Sequence, residues 1–262
     1  MKILQGKTAL ITGSTSGIGL SIAHAMAEAG ANIVLNGFGD LEEIKKIQND
    51  IHDKHKTKVI YSPADVSSGQ QVQKMVEDAI TAFKQIDIIV NNAGIQFVSP
   101  IVDFPEEKWN SILAINLSSA FKLIKTTLPG MLTQNWGRII NIASAHGLIA
   151  SPYKSAYIAA KHGLVGLTKA VALEIAETNV TCNAICPGYV RTPLVEKQIA
   201  EQAKVHNISE DRVVKEILLK SQPSKKFIGS DHVAQLAVFL CSPAGSSMTG
   251  EIVSMDGGWT AQ

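Results

Sequence analysis

The sequence predicts an α/β fold built on a doubly wound parallel sheet, and three observations carry that prediction. Short apolar runs alternate with amphipathic helical stretches along the whole chain, the pattern of a parallel sheet with helices on both faces. A glycine-rich turn, TGSTSGIG (12–19), lies between the first apolar run and the first helical one, where such sheets hold dinucleotides. The 262 residues are 45% hydrophobic and 18% charged, a composition that supplies a sizeable core. α/β domains of this length are common, so one domain spanning 1–262 is expected.

The elements follow in order. TALIT (8–12) reads as a short apolar strand, and IGLSIAHAMAEAG (18–30) as an amphipathic helix closed by Gly30. ANIVLN (31–36) is a second strand, LEEIKKIQNDIHDKH (41–55) a charged helix and KVIYSPAD (58–65) a third strand. GQQVQKMVEDAITAF (69–83) is a helix and IDIIVNNAG (86–94) a strand. A helix over 106–133, with a break expected near Pro105 or Pro129, leads to strand GRIINIAS (137–144). A helix over 152–176 follows, with Ser151 as N-cap and Pro152 as its first residue. Strand VTCNAICPG (180–188), a polar helical segment over about 193–220, helix SDHVAQLAVFLCS (230–242) and strand EIVSMDGG (251–258) complete the chain.

Composition excludes several function classes. Net charge is +1 with no long run of one sign, so the basic stripe of a nucleic-acid partner is missing. No stretch approaches the roughly 20 apolar residues of a membrane span, and no apolar signal core precedes Gly13. Cys182, Cys186 and Cys241 make an odd count without a CxxC pair. They read as buried thiols rather than a metal site, consistent with a reducing cytoplasm.

The turn at 12–19 is GxxxGxG rather than GxGxxG, but the physics is shared. Gly13, Gly17 and Gly19 allow a tight turn and close approach to a pyrophosphate, whose charge the helix N-terminus favours. Ser14, Thr15 and Ser16 can add hydroxyl donors. The adenosine ribose is expected at the end of the second strand, in NGFGD (36–40), where an acid would meet a 2′-hydroxyl and a base a 2′-phosphate. Neither is present at that turn. Gly37 stands where the carboxylate is often found, and no Arg or Lys offers a counter-charge to a phosphate, so NAD is favoured over NADP. Phe38 is placed to cover the adenine or simply to pack, and Asp65 to accept from the adenine amino group or to cap the following turn.

The motifs TGSTSGIG, NNAG (91–94), NLSSAF (116–121), Ser144, YIAAK (157–161) and PGYVRTP (187–193) occur in the order and spacing of the short-chain dehydrogenases/reductases, which this chain resembles over essentially its whole length. The resemblance implies a single Rossmann-type domain with about seven parallel strands, a small helical substrate lid over about 191–222, and a homotetramer. It implies cofactor contacts from Gly13, Thr15, Ser16, Gly17, Ile18 and Gly19, from Phe38, Asp65 and Val66, from Asn92 and Gly94, from Tyr157 and Lys161, and from Pro187, Gly188, Val190 and Thr192. NNAGIQFVSPI, NWGRIINIASAHGL, KSAYIAAKHG, TPLVEKQI and MDGGW are similar to the branch that interconverts (R)-3-hydroxybutyrate and acetoacetate with NAD. That branch usually has His where this chain has Phe97.

Oxidising a secondary alcohol requires a base for the hydroxyl proton and an acceptor for the hydride. Tyr157 and Lys161 are four apart and share a helix face. The ammonium is expected to lower the tyrosine pKa from its usual value of about 10, tuning it as a base. Ser144, at the C-terminal end of a strand, is placed to hold the substrate oxygen. By resemblance, Asn116 completes the set through a water and Lys161. Tyr153 competes as a base, but the residue four on is Tyr157, not a cation, so it reads as structural or rim-exposed. Lys154 is expected in the first helical turn, on a stripe with Tyr157 and Lys161. The spacing alone leaves it either solvated or facing the site. By resemblance, Gln96, His146, Lys154 and Gln198 clamp the substrate carboxylate and Trp259 closes the apolar end. Lid closure would exclude water. The competing readings are a reductase of 3-oxoacyl thioesters or a steroid ketone, which predicts NADP and an open substrate side, and a non-catalytic nucleotide-binding regulator, which predicts a broken Ser/Tyr/Lys set.

Overall fold

Seven strands form one sheet in the order β3-β2-β1-β4-β5-β6-β7, every neighbouring pair parallel. The strands are β1 (Thr8–Ile11), β2 (Asn32–Asn36), β3 (Val59–Ser62), β4 (Ile88–Asn91), β5 (Gly137–Ile142), β6 (Val180–Pro187) and β7 (Ile252–Met255). The computed structural model describes residues 2–192, 195–196, 199–200, 203–204 and 207–261. The central strands are buried throughout, which is why they read as continuous apolar runs rather than alternating ones. Strand order reverses between β1 and β4, so the loops after these two strands diverge and leave a crevice at the C-terminal edge.

The helices cover both faces. On one, α1 (Gly17–Glu28) packs against the C-terminal helix α7 (Ser230–Cys241) through Ala23, Ala27, Ala234 and Ala237. Those small residues let the two helices approach closely, and Ser21 Oγ donates to Ser230 Oγ at 2.8 Å. Next to them, α2 (Leu41–His55) buries Ile51 in the same cluster. On the other face, α3 (Gly69–Phe83), α5 (Ser119–Thr133) and α6 (Ser155–Glu174) bury Val72, Met75, Leu123, Ile124 and Val171. α2 and α3 begin and end where the periodicity places them, because local caps set their starts: Asp40 accepts from the Glu42 and Glu43 N–H groups, and Ser68 from Gln71 N–H.

Two expectations are corrected. The helix over 106–133 does not break at Pro129, which lies inside α5. The irregularity is a π turn at Ala114–Ser118, between α4 (Glu106–Leu113) and α5, and it carries Asn116. π turns of this kind occur often at functional sites. The helix over 152–176 starts only at Ser155. Tyr153 adopts the left-handed region (φ 68°), and Lys154 takes the cap position without a side-chain cap bond. Ser151 lies three residues before the cap position, and its hydroxyl is hydrogen-bonded to His146 Nε2 at 2.9 Å.

Cys182, Cys186 and Cys241 are buried free thiols. Among the described residues no helix is long and apolar enough to cross a membrane.

A buried polar bridge fixes α6 on the sheet. Asn91 Nδ2 donates to Asn141 Oδ1, and Asn141 Nδ2 to Thr168 Oγ1, both at 2.8 Å. Asn141→Ala leaves the Asn91 amide without its acceptor in the core and is expected to cost about 2–3 kcal/mol. Urea unfolding followed by circular dichroism measures it.

Candidate active site

The C-terminal edge of β1, β4, β5 and β6 gathers the expected residues into two adjoining cavities. One, of about 200 Å³, is lined by Ser144, Tyr157, Lys161, Gln96, His146, Lys154 and Trp259, among others. The second, of about 320 Å³, is lined by the glycine turn, Phe38, Asp65 and Val66. Asn92, Gly94 and Ile95 line both, so the two form one groove. Ile18, Pro187, Gly188 and Val190 line the first, where the groove passes from one cavity to the other.

The glycine turn fits a pyrophosphate. α1 begins with Ser16 extended and without a side-chain cap bond, leaving N–H groups and a hydroxyl at a positive helix end. A Cβ on Gly19 would stand 2.4 Å from the Gly13 carbonyl oxygen, so only glycine permits this approach. The turn is laced to the loop after β4: Thr12 Oγ1 accepts from Asn92 and Ala93 N–H, and Asn92 Nδ2 donates to the Thr12 and Gly13 carbonyls. Of the three hydroxyls, two are engaged internally. Ser14 Oγ donates to the Ile11 carbonyl and Thr15 Oγ1 to the Phe38 carbonyl. Phe38 is 69% exposed on the rim of this cavity. Asp65 caps the following turn by accepting from Ser67 N–H at 2.8 Å while still lining the cavity. At Gly37 (φ 150°) a Cβ would lie 2.7 Å from Thr15 Oγ1. The position that often bears a carboxylate is therefore closed to any side chain. Thr192 lies against the start of α1, its methyl 3.4 Å from where a Cβ on Gly17 would sit.

Ser144 follows β5 in extended conformation, and its Oγ accepts from His146 N–H at 3.1 Å. On α6, Lys161 is only 4% exposed. Its Nζ donates to the Ile142 carbonyl at 2.7 Å and lies 5.6 Å from the centre of the Tyr157 ring. Burial lowers the Lys161 pKa to about 8. The expected fall in the tyrosine pKa is corrected: burial raises it, and a hydrogen bond from Ser144 opposes that rise. Desolvation of the phenolate dominates, and the Lys161 ammonium is engaged by the Ile142 carbonyl.

Asn116 is buried, and its amide is engaged by one residue: Oδ1 accepts from Ile95 N–H at 2.8 Å and Nδ2 donates to the Ile95 carbonyl at 2.9 Å. It steadies the loop lining both cavities. Lys154 Nζ donates to Tyr189 Oη at 3.3 Å, and Trp259 stacks on Tyr189 with centroids 5.6 Å apart. Tyr153 is exposed at the rim. Gln198 lies outside the described residues. Phe97 is not in the lining; it packs edge-on against Phe104 at 5.7 Å. Sequence reasoning missed Tyr189, although an aromatic residue directly after the Pro187-Gly188 turn was the available signal.

His146 meets the Trp259 ring edge-on at 5.0 Å. Burial, with Lys154 next, lowers its pKa from 6.5 to about 4, so it is neutral at neutral pH. The native state then binds fewer protons at this site than the unfolded chain between about pH 4 and 6.5. The stability from a neutral His146 is full above that window and is lost as pH falls through it. Unfolding free energy measured from pH 7 to 4 is expected to fall less steeply in His146→Asn than in the wild type. Nitrogen-15 shifts should show His146 still neutral at pH 6.

Comparisons with known proteins agree with this architecture. A family model described as enoyl-(acyl carrier protein) reductase matches residues 13–260. A D-beta-hydroxybutyrate dehydrogenase of Rhizobium meliloti (strain 1021) is 56% identical over 256 residues, spanning 98% of this chain and 99% of its own. Another, of Cupriavidus necator, is 52% identical over 264 residues, spanning 99% of this chain and 100% of its own. Among solved structures, a levodione reductase matches with a TM-score of 0.90 at 30% identity, over 98% of this chain and 99% of its own. The chain belongs to the short-chain dehydrogenase/reductase family, whose fold takes a nicotinamide nucleotide.

Proposed function

We propose that this chain is an NAD-dependent dehydrogenase of (R)-3-hydroxybutyrate, interconverting it with acetoacetate. One observation carries the reading. The described lining of the smaller cavity includes two lysines, Lys154 and Lys161, and no carboxylate. A site of about 200 Å³ with that balance suits a small monoanion. The same enclosure suits a long thioester poorly. The two bacterial relatives, both named D-beta-hydroxybutyrate dehydrogenases, support the same substrate.

The roles follow from position. Ser144 holds the reacting oxygen, and Tyr157 Oη takes the hydroxyl proton. Lys161, with a pKa of about 8, exchanges protons near neutral pH and can pass that proton outward through a water, while Asn116 holds the adjoining loop at Ile95. The glycine turn and the second cavity would hold an oxidised nicotinamide nucleotide, which would supply the hydride acceptor and a positive charge favouring the phenolate. Lys154, Gln96 and neutral His146 face the carboxylate, and Trp259 faces the methyl end. NAD is preferred over NADP because no cation stands among the described residues lining the second cavity, whereas Asp65 does. A 2′-phosphate would meet a carboxylate and no counter-charge. Assembly as a homotetramer belongs to the same proposal, and exposed Phe121 and Leu173 offer apolar surface for it.

Absorbance of NADH tests the reading directly. Turnover is expected with (R)-3-hydroxybutyrate, but not with the (S) isomer or a long 3-hydroxyacyl thioester. NADP turnover equal to that with NAD would overturn the cofactor assignment. Tyr157→Phe should lower kcat by about 10²–10⁴-fold while calorimetry shows NAD still binding. Lys154→Ala should raise the KM for 3-hydroxybutyrate by about 10–100-fold.

A further inference from the structure

We propose that Tyr189 positions the substrate, its hydroxyl aiming the Lys154 ammonium at the carboxylate while its ring sets the opposite wall with Trp259. This rests on the function proposed above.

Lys154 is poorly placed to hold its own direction. It stands at the N-terminal cap of α6, where the helix dipole disfavours a cation, and a lysine side chain loses much rotamer freedom when fixed. Tyr189 supplies what the helix does not. Its Oη accepts from Lys154 Nζ at 3.3 Å, and the ammonium lies 5.6 Å from the ring centre. The phenol thus acts on the carboxylate through the ammonium it holds.

The ring does the second part. It stacks on Trp259 nearly parallel, at 10° and 5.6 Å. Both members of the stack are fastened from behind. The Tyr189 N–H donates to Oε1 of fully buried Gln222 at 3.3 Å, and its carbonyl accepts from Ile228 N–H at 2.8 Å. Asp256 accepts from Gly258 and Thr260 N–H, holding the turn that carries Trp259. One braced unit therefore ties the Lys154 end of the cavity to the Trp259 wall.

The test compares wild type, Tyr189→Phe, Lys154→Ala and the double variant, using (R)-3-hydroxybutyrate and its neutral methyl ester. Thermal melts establish that each variant is folded. Tyr189→Phe is expected to raise the KM for the acid about 5–20-fold, more than kcat falls, with a much smaller change for the ester. Added to Lys154→Ala, it should cost little more, because both act through one interaction. Calorimetric titration of acetoacetate into the enzyme should show the same non-additivity without turnover. Equal effects on acid and ester, additive losses, or an unchanged KM would overturn the proposal while leaving the 3-hydroxybutyrate reading intact. A wild-type enzyme inactive on 3-hydroxybutyrate would overturn both.

Discussion

The site depends on one buried cation. Lys161 is almost fully enclosed, and a charge in such a place is tolerated only when hydrogen-bonded. Its partner, the Ile142 carbonyl at 2.7 Å, is the last of β5. That contact ties α6 to the end of the sheet. Two turns further along the same helix face, Thr168 receives the Asn141 amide from the adjoining residue of the same strand. Two polar ties on one face therefore set both the height and the rotation of α6 over β5. Ser144, two residues past Ile142, then stands beside Tyr157 as a consequence of the chain's geometry.

The same cation shows why proximity alone does not set a pKa. A lysine four residues after a tyrosine looks sufficient to acidify the phenol. In the folded protein, burial acts on both groups in the direction that disfavours charge, raising one and lowering the other. The pair is thus brought toward neutrality together, and a further charge arriving in the groove has a large effect on both because little solvent screens it. The groove is divided in the same way: among the described residues, ammonium groups without carboxylates line the first cavity, and Asp65 without cations the second.

Elements whose limits are set locally were legible in the sequence. α2 and α3 carry their own caps in Asp40 and Ser68, and the strands of the central sheet announce themselves as apolar runs. The misreadings share a physical origin in distant partners. Ser151 and Pro152 make a sound helix start by local rules, but the Ser151 hydroxyl belongs to His146, and the chain reverses through a left-handed Tyr153 instead. Pro129 removes one backbone donor, yet packing of Leu123, Ile124 and Met131 carries α5 through it. Asn116 was legible as a motif residue, but not as the clamp on Ile95. That role exists only because a π turn faces the loop after β4.

Tyr189 eluded sequence reasoning for a related reason: its partners, Lys154, Trp259 and Gln222, come from three separate parts of the chain. Its far side also belongs to the described part of the proposed lid, where Ile199, Val213 and Leu218 form a buried cluster against which Tyr189 and Phe227 pack. The aromatic wall of the cavity and this buried cluster are thus contiguous. Close-packed side chains transmit displacement rather than absorb it, so a shift of the lid onto this cluster bears on the Tyr189 ring and, through its hydroxyl, on Lys154. Under the proposed function, the same aromatic side chain therefore couples recognition of the charged end to enclosure of the site.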